Sequence, residues 1–156
     1  MAGPEKGNEA PDFELPRGGD GSLLRLSDFR GKPVVLFFYP KDDTSGCTAE
    51  AIAFTKLKPQ FDELGAVVIG MSPDSTKSHD KFKAKHQLTV DLVSDTEKQA
   101  LNDYGVWVEK SMYGRKYMGV ERSTFLIDRD GRIAKVWRKV SVPGHAEEVL
   151  EAVRSL

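Results

Sequence analysis

The sequence predicts an α/β fold: a central mixed β-sheet flanked by helices, with a β-hairpin at the N-terminal end. Three observations carry that prediction. Residues 33–38 and 66–71 are apolar runs that do not alternate, the pattern of strands buried on both faces. Between them, Phe54, Leu57, Phe61 and Leu64 recur at helical spacing, so a helix fills a crossover long enough for parallel pairing. Further on, Asp128-Arg129-Asp130-Gly131 joins two short apolar runs in the manner of an antiparallel hairpin.

In chain order, residues 1–9 read as a flexible lead. Residues 10–15 alternate and predict a short edge strand with Pro11 at its margin. Residues 17–21 form a turn, and 23–26 return as the second strand of a hairpin. Residues 27–31 make a short helical turn stopped by Gly31. The strand at 33–38 leads to a helix from Cys47 onward, within which Pro59 predicts a kink or a break. After the strand at 66–71, residues 75–86 read as a polar-faced helix anchored by Phe82. A short strand at 91–94 and a helix at 97–104, ended by Gly105, follow. Residues 107–120 are rich in aromatics, Lys and Gly and read as a loop or irregular hairpin. Strands at 123–127 and 133–137 flank the Asp-Gly turn, and Ala146, Val149, Leu150 and Val153 form the inward stripe of a last helix. This order is compatible with a thioredoxin-like core. No repeat, low-complexity tract or linker interrupts it, so a single domain over residues 1–156 is expected.

The bulk composition narrows the function classes. The 156 residues carry 23 basic and 24 acidic side chains, a net charge of −1, with no field that favours nucleic acid or an anionic membrane. The N-terminus has no apolar signal region and no run reaches membrane-spanning length, so a cytoplasmic protein is expected. One cysteine cannot close an internal disulfide and fits a reducing compartment. His79, His86 and His145 are scattered, show no metal-ligand spacing and are expected at the surface; neither metal nor cofactor is expected. Asp42-Asp43 reads as a solvated turn, the alternative being a cation site. Lys77, Lys81, Lys83 and Lys85 read as a solvated helix face, the alternative being a face that recruits an acidic partner. Trp107, Tyr113 and Trp137 either line an apolar approach to a site or pack the core.

The chemistry gathers at Cys47, which follows a buried strand and falls in the first turn of a helix. Unpaired N–H groups and the positive end of the helix dipole favour the thiolate there. A free thiol of pKa ~8.5 is only ~3% thiolate at pH 7. Lowering a thiol's pKa also lowers its intrinsic nucleophilicity, so thiolate fraction alone does not make an efficient catalyst. The site must also hold its substrate in line and stabilise the charge on the leaving atom. Thr44, three residues before Cys47, can turn its hydroxyl to the thiol, or can be a plain N-cap. Gly46 allows close backbone approach. Pro40 either shields the site or simply ends the strand.

Pro40, Thr44 and Cys47 reproduce the Pro-x-x-x-Thr-x-x-Cys signature of peroxiredoxins. The wider stretch Phe38-Tyr39-Pro40-Lys41-Asp42-Asp43-Thr44-Ser45-Gly46-Cys47-Thr48-Ala49-Glu50 resembles the bacterioferritin-comigratory-protein branch, also called peroxiredoxin Q. So do Ala10-Pro11-Asp12-Phe13, Lys110-Ser111-Met112-Tyr113-Gly114 and Arg122-Ser123-Thr124-Phe125-Leu126-Ile127-Asp128; the resemblance runs from about Ala10 to the C-terminus. It implies a thiol-dependent peroxidase acting on hydrogen peroxide and organic hydroperoxides. Cys47 would be the peroxidatic cysteine, oxidised to a sulfenic acid. Thr44 would bind thiolate and peroxide, and Arg122, by itself an ordinary strand-edge arginine, matches the family's active-site arginine. Glu50 either orients Arg122 or is a carboxylate placed near a helix N-terminus.

Ser45 stands where the branch often has proline. The branch commonly carries a second, resolving cysteine, at positions here occupied by Ile52 or Lys83. A one-cysteine enzyme is therefore expected, recycled by an external thiol through a mixed disulfide at Cys47. Glutathione, with or without glutaredoxin, and thioredoxin are the expected reductants, and a monomer is the state the resemblance implies. The competing reading is a non-enzymatic thioredoxin-like thiol sensor or holdase chaperone. A disulfide oxidoreductase is disfavoured, because Thr44-Ser45-Gly46-Cys47 has threonine where a Cys-x-x-Cys site needs its other thiol.

Overall fold

The computed structural model describes residues 3–156. The chain passes through β1 (Glu14–Pro16), β2 (Leu23–Arg25), a 3₁₀ turn (Leu26–Phe29), β3 (Val34–Phe38), α1 (Ser45–Glu63), β4 (Val67–Ser72) and α2 (Thr76–His86). It continues through β5 (Asp91–Ser94), α3 (Gln99–Asp103), β6 (Trp107–Met112), β7 (Arg115–Val120), β8 (Ser123–Ile127), β9 (Ile133–Trp137) and α4 (His145–Arg154). Five strands form the central sheet in the order β5-β4-β3-β8-β9. β3 lies parallel to β4, with Val34 opposite Val67 and Phe38 opposite Met71, and β4 lies parallel to β5. On its other side β3 meets β8 antiparallel, with Phe38 opposite Ser123, and β8 pairs antiparallel with β9. This is the mixed sheet that the element order predicts, and β1 and β2 form the expected N-terminal hairpin.

All five residues of β3 are buried, which is why its run does not alternate in sequence. Val34, Leu36 and Phe38 face one core with Ile69, Met71, Leu101 and Tyr104. Val35, Phe37 and Tyr39 face the other, with Phe54 and Phe61 of α1, Phe82 of α2 and Val149 of α4. Phe37 stacks on Phe54 with ring centroids 4.7 Å apart. It fits there because Gly70 on β4 has no side chain; a Cβ at Gly70 would lie 2.6 Å from the Phe37 ring. Full burial of each such aromatic contributes about 1.5–3 kcal/mol.

Three segments differ from expectation. Residues 107–120 form a regular hairpin with unbroken register from Trp107↔Val120 to Met112↔Arg115. Its two turn residues, Tyr113 at φ 53° and Gly114 at φ 78°, are both left-handed, as a two-residue hairpin turn requires. The pattern hides this hairpin because most of its side chains face solvent on both sides of the ribbon. At Pro59, α1 runs on without a break to Glu63. Pro59 is exposed, so the carbonyl it leaves unpaired can turn to water. The strand expected over 10–15 pairs only at Glu14–Pro16.

Met1 and Ala2 of the expected lead lie outside the described residues. Beyond them, the Gly7 N–H donates to the Ile133 carbonyl at 2.8 Å and the Ile133 N–H donates to the Asn8 carbonyl at 2.8 Å. Residues 7–9 thereby cover the start of the outer edge of β9, an edge otherwise open to pairing with another chain. No described helix is long and apolar enough to cross a membrane.

Candidate active site

The site is built where β3 hands the chain to α1. Pro40, half-buried, turns it out of the sheet, and Thr44 occupies the N-cap with extended backbone angles (φ −89°, ψ 158°). Its carbonyl accepts the first helical bond, from the Thr48 N–H at 2.8 Å. Its side chain does not cap the helix; the hydroxyl donates instead to the Lys41 carbonyl at 2.9 Å. Thr44 is exposed, and with its proton committed to Lys41 its oxygen presents lone pairs as an acceptor.

Cys47 lies in the first turn of α1 and is only 1% exposed. Arg122, between β7 and β8, reaches it from the start of the strand that pairs with β3. One guanidinium nitrogen, Nη2, donates to Cys47 Sγ at 3.3 Å, and the other, Nη1, donates to Glu50 Oε1 at 2.7 Å. Cys47 and Glu50 are three residues apart on α1, so they are neighbours on one helix face, and the planar fork spans them. Gly46 leaves room for this approach: a Cβ there would stand 3.2 Å from Arg122 Nη2, a tight contact. Burial opposes the charge on Arg122, but Glu50 and then Cys47 hold the guanidinium above its ordinary value. Glu50 itself is almost fully buried, and its second oxygen, Oε2, has no hydrogen-bond partner. Burial pushes its carboxyl up to about 7, an effect that Arg122 only partly offsets.

Two features of the site escape the sequence. Lys110 on β6 lies across Gly119, where a Cβ would meet its Cδ at 3.3 Å. Its ammonium is held below the ordinary value, first by burial and next by the positive charge of Arg122, with Cys47 acting in the opposite sense. A second cation thus stands near the Cys47–Arg122 pair. The other feature is a buried polar cluster beneath the turn: Tyr39, Asp42, Ser78 and His79. Its only sequence signal is the polar side chains themselves, and their burial depends on partners more than thirty residues apart.

That cluster corrects the surface expectation for histidine. His79 is 0% exposed and His145 is 5% exposed, while His86 is half-buried against Asp43 at 2.8 Å. Histidine buries where its ring nitrogens find partners; His145 Nε2 lies 2.8 Å from the Thr124 hydroxyl, and burial holds its pKa down. Asp42-Asp43 is likewise not a simple solvated turn. Asp42 is buried, and only Asp43 is exposed, paired with Lys85 at 2.7 Å. Lys77 and Lys81 are exposed, and Lys83 is half-buried. Tyr113 projects at the hairpin tip, 97% exposed. Trp107 packs against the core, and Trp137 stands edge-on to His145 with centroids 5.6 Å apart. Ile52 is half-buried on α1, so the two positions where the branch would carry a resolving thiol, Ile52 and Lys83, both hold side chains without one.

Known proteins resemble this chain over nearly its whole length. Residues 6–136 match the AhpC/TSA family. The peroxiredoxin Bcp of Bacillus subtilis is 49% identical over 97% of this chain and 96% of its own. A solved peroxiredoxin Q of Xylella fastidiosa superposes with a TM-score of 0.93 at 42% identity, covering 99% of this chain and 98% of that one. The bacterioferritin comigratory protein of Xanthomonas campestris, solved in a study of its alkyl peroxide reduction, superposes with a TM-score of 0.90 at 42% identity, over 97% of this chain and 98% of that one.

Proposed function

Because the chain belongs to the AhpC/TSA family, with the thioredoxin-like fold and the thiol-dependent peroxidase activity of its peroxiredoxin Q branch, we propose that Cys47 is the residue its peroxide substrate oxidises. The Cys47 thiolate attacks the terminal oxygen of the hydroperoxide. An S–O bond forms as the O–O bond breaks, and the departing oxygen takes a proton to leave as water or an alcohol. Cys47 is left as a sulfenic acid. Arg122 holds the sulfur and stabilises charge as it moves onto the leaving oxygen. Thr44 Oγ1 accepts the peroxide O–H, Glu50 orients Arg122, Gly46 admits the guanidinium, and Pro40 screens the site. The observation that carries this reading is the Arg122 fork, 3.3 Å from Cys47 Sγ and 2.7 Å from Glu50 Oε1.

Recycling falls to an external thiol, because the chain has one cysteine. That thiol attacks the sulfenic sulfur, water leaves, and a mixed disulfide at Cys47 is resolved by a second thiol. Glutathione with glutaredoxin, or thioredoxin, supplies the electrons. Alkyl hydroperoxides join hydrogen peroxide as substrates, by analogy with the Xanthomonas protein. The reading makes the protein a single-domain cytoplasmic monomer, its unpaired thiol suiting a reducing compartment.

Intact-mass spectrometry after one equivalent of hydrogen peroxide is expected to show one added oxygen, located at Cys47. A Cys47 that stays unmodified, or oxidises no faster than free cysteine, defeats the proposal. Turnover with the glutaredoxin and thioredoxin systems, compared side by side, separates an enzyme recycled in this way from a stoichiometric thiol sensor or a holdase.

A further inference from the structure

We propose that His79 is a positioning residue for the peroxidase site, acting through Asp42 on the turn that carries Thr44. The inference rests on the role given above to Thr44. His79 lies one turn into α2 and is fully buried. Its Nδ1 is 2.7 Å from Asp42 Oδ2, and its Nε2 is 3.0 Å from the Val93 carbonyl. The Asp42 carboxylate already accepts the Tyr39 hydroxyl on Oδ1 at 2.6 Å and the Ser78 hydroxyl on Oδ2 at 2.7 Å. Both neighbours of the ring are therefore acceptors. The ring is held between α2, β5 and the turn after β3.

The surroundings leave this ring no freedom. The Tyr39 hydroxyl stands 3.4 Å from Nδ1. Asp74 takes the Asp42 N–H at 2.8 Å and the Ser72 hydroxyl at 2.8 Å, and Asp80 is turned away to the Gly19 N–H. Residue 18 closes over the histidine, since a Cβ on Gly18 would stand 2.7 Å from His79 Cβ.

The turn needs such an anchor. Asp43 has a φ of 61°, a left-handed conformation that a non-glycine residue adopts only at a cost. Asp42 is clamped from beneath by His79, and Asp43 from outside by Lys85 and His86, so the turn is fixed to α2 on both sides. The residue before Asp42 is Lys41, whose carbonyl accepts the Thr44 hydroxyl. A shift of Asp42 moves that carbonyl, and with it the direction in which Thr44 Oγ1 presents its lone pairs to the peroxide.

The test compares two reactions of the same thiol in His79→Gln: oxidation by hydrogen peroxide, which uses Thr44, and alkylation by iodoacetamide, which does not. Peroxide oxidation is expected to slow about ten- to hundred-fold, the cost of misplacing a group by about an ångström, while alkylation changes by less than about twofold. In a Thr44→Val background, His79→Gln is expected to slow peroxide oxidation no further. An equal loss in both reactions, or an undiminished loss on top of Thr44→Val, overturns the proposal in favour of general loosening. A normal rate in His79→Gln beside a slow Thr44→Val overturns it and leaves the role of Thr44 standing. A normal rate in Thr44→Val removes Thr44 from the site and this inference with it. If His79→Gln does not fold, Tyr39→Phe removes one hydrogen bond to Asp42 and is expected to give the same pattern, about three- to tenfold in the peroxide reaction; no change there overturns the proposal.

Discussion

Glu50 and Asp42 are both buried carboxylates beside the start of α1, each joined to a basic side chain from another part of the chain. Asp42 receives the Tyr39 hydroxyl, the Ser78 hydroxyl and His79 Nδ1, so both of its oxygens are served. Glu50 receives one bond from Arg122, and its Oε2 is left alone. A fully satisfied buried carboxylate holds its neighbours in one geometry. A half-satisfied one is pushed towards its neutral form by desolvation, and Glu50 sits at about 7. The satisfied pair lies under the turn and touches nothing that reacts; the unsatisfied pair shares its arginine with the sulfur. The pair that touches Cys47 thus includes a carboxyl held near neutral pH.

Removing the fork breaks the comparison most severely. Arg122→Lys keeps the charge but cannot donate to Cys47 Sγ and Glu50 Oε1 with one rigid plane. Oxidation of Cys47 by hydrogen peroxide, followed by stopped-flow fluorescence, is expected to slow about 10²–10³-fold, the usual cost of losing one preorganised donor to a developing charge. An unchanged rate would take Arg122 out of the chemistry and leave the two carboxylates with the same, purely structural, role.

Glu50→Gln sharpens it. Glu50 has a folded value of about 7 against an ordinary 4.5, so between those limits the folded protein holds a proton that the unfolded chain has released. Stability from this group is complete below about 4.5 and is lost as pH rises through about 7, amounting to about 3 kcal/mol. Denaturant melts of the wild type are expected to weaken over that interval, and those of Glu50→Gln to stay flatter. In activity the sign reverses. The ionised carboxylate binds Arg122 more strongly, so the peroxide rate is expected to rise through pH 7 with a component that Glu50→Gln lacks. The variant should be about tenfold slower above that pH, since one charge-assisted hydrogen bond is lost. A component that persists in Glu50→Gln belongs to another group.

The two pairs also differ in how far they can be read from the chain alone. Val34 to Phe38 and Ser123 to Ile127 show their burial in adjacent residues, and their strands stand where the apolar runs place them. Cys47 in a first helical turn is equally local. Arg122 lies 75 residues from Cys47 and is reached only through family resemblance, because nothing in its neighbours distinguishes it from a strand-edge arginine. His79 and Asp42, 37 residues apart, read as surface polar residues, since burial of a polar side chain depends on a partner that only the fold supplies. At 107–120, read as a loop or irregular hairpin, the regular register escapes for the opposite reason: with little core to face, its alternation carries almost no hydrophobic signal.

Gly46 gives the smallest effect and the cleanest separation of geometry from stability. It lies in the first turn of α1 beside the guanidinium, and a Cβ there would stand 3.2 Å from Arg122 Nη2, closer than ordinary contact. Arg122 is held at both nitrogens, so it has to retreat by a few tenths of an ångström from a bond of 3.3 Å to the sulfur. Gly46→Ala is therefore expected to slow peroxide oxidation about three- to tenfold, within the range that a small misalignment costs. The same substitution restricts the unfolded chain and improves helix propensity, which favours folding by up to about 1 kcal/mol. A slower reaction in a protein that melts no lower points to displaced geometry at the fork. A slower reaction with a lower melting temperature would mean that the Cβ disturbs α1 itself, and the close approach of Arg122 would lose its explanation in Gly46.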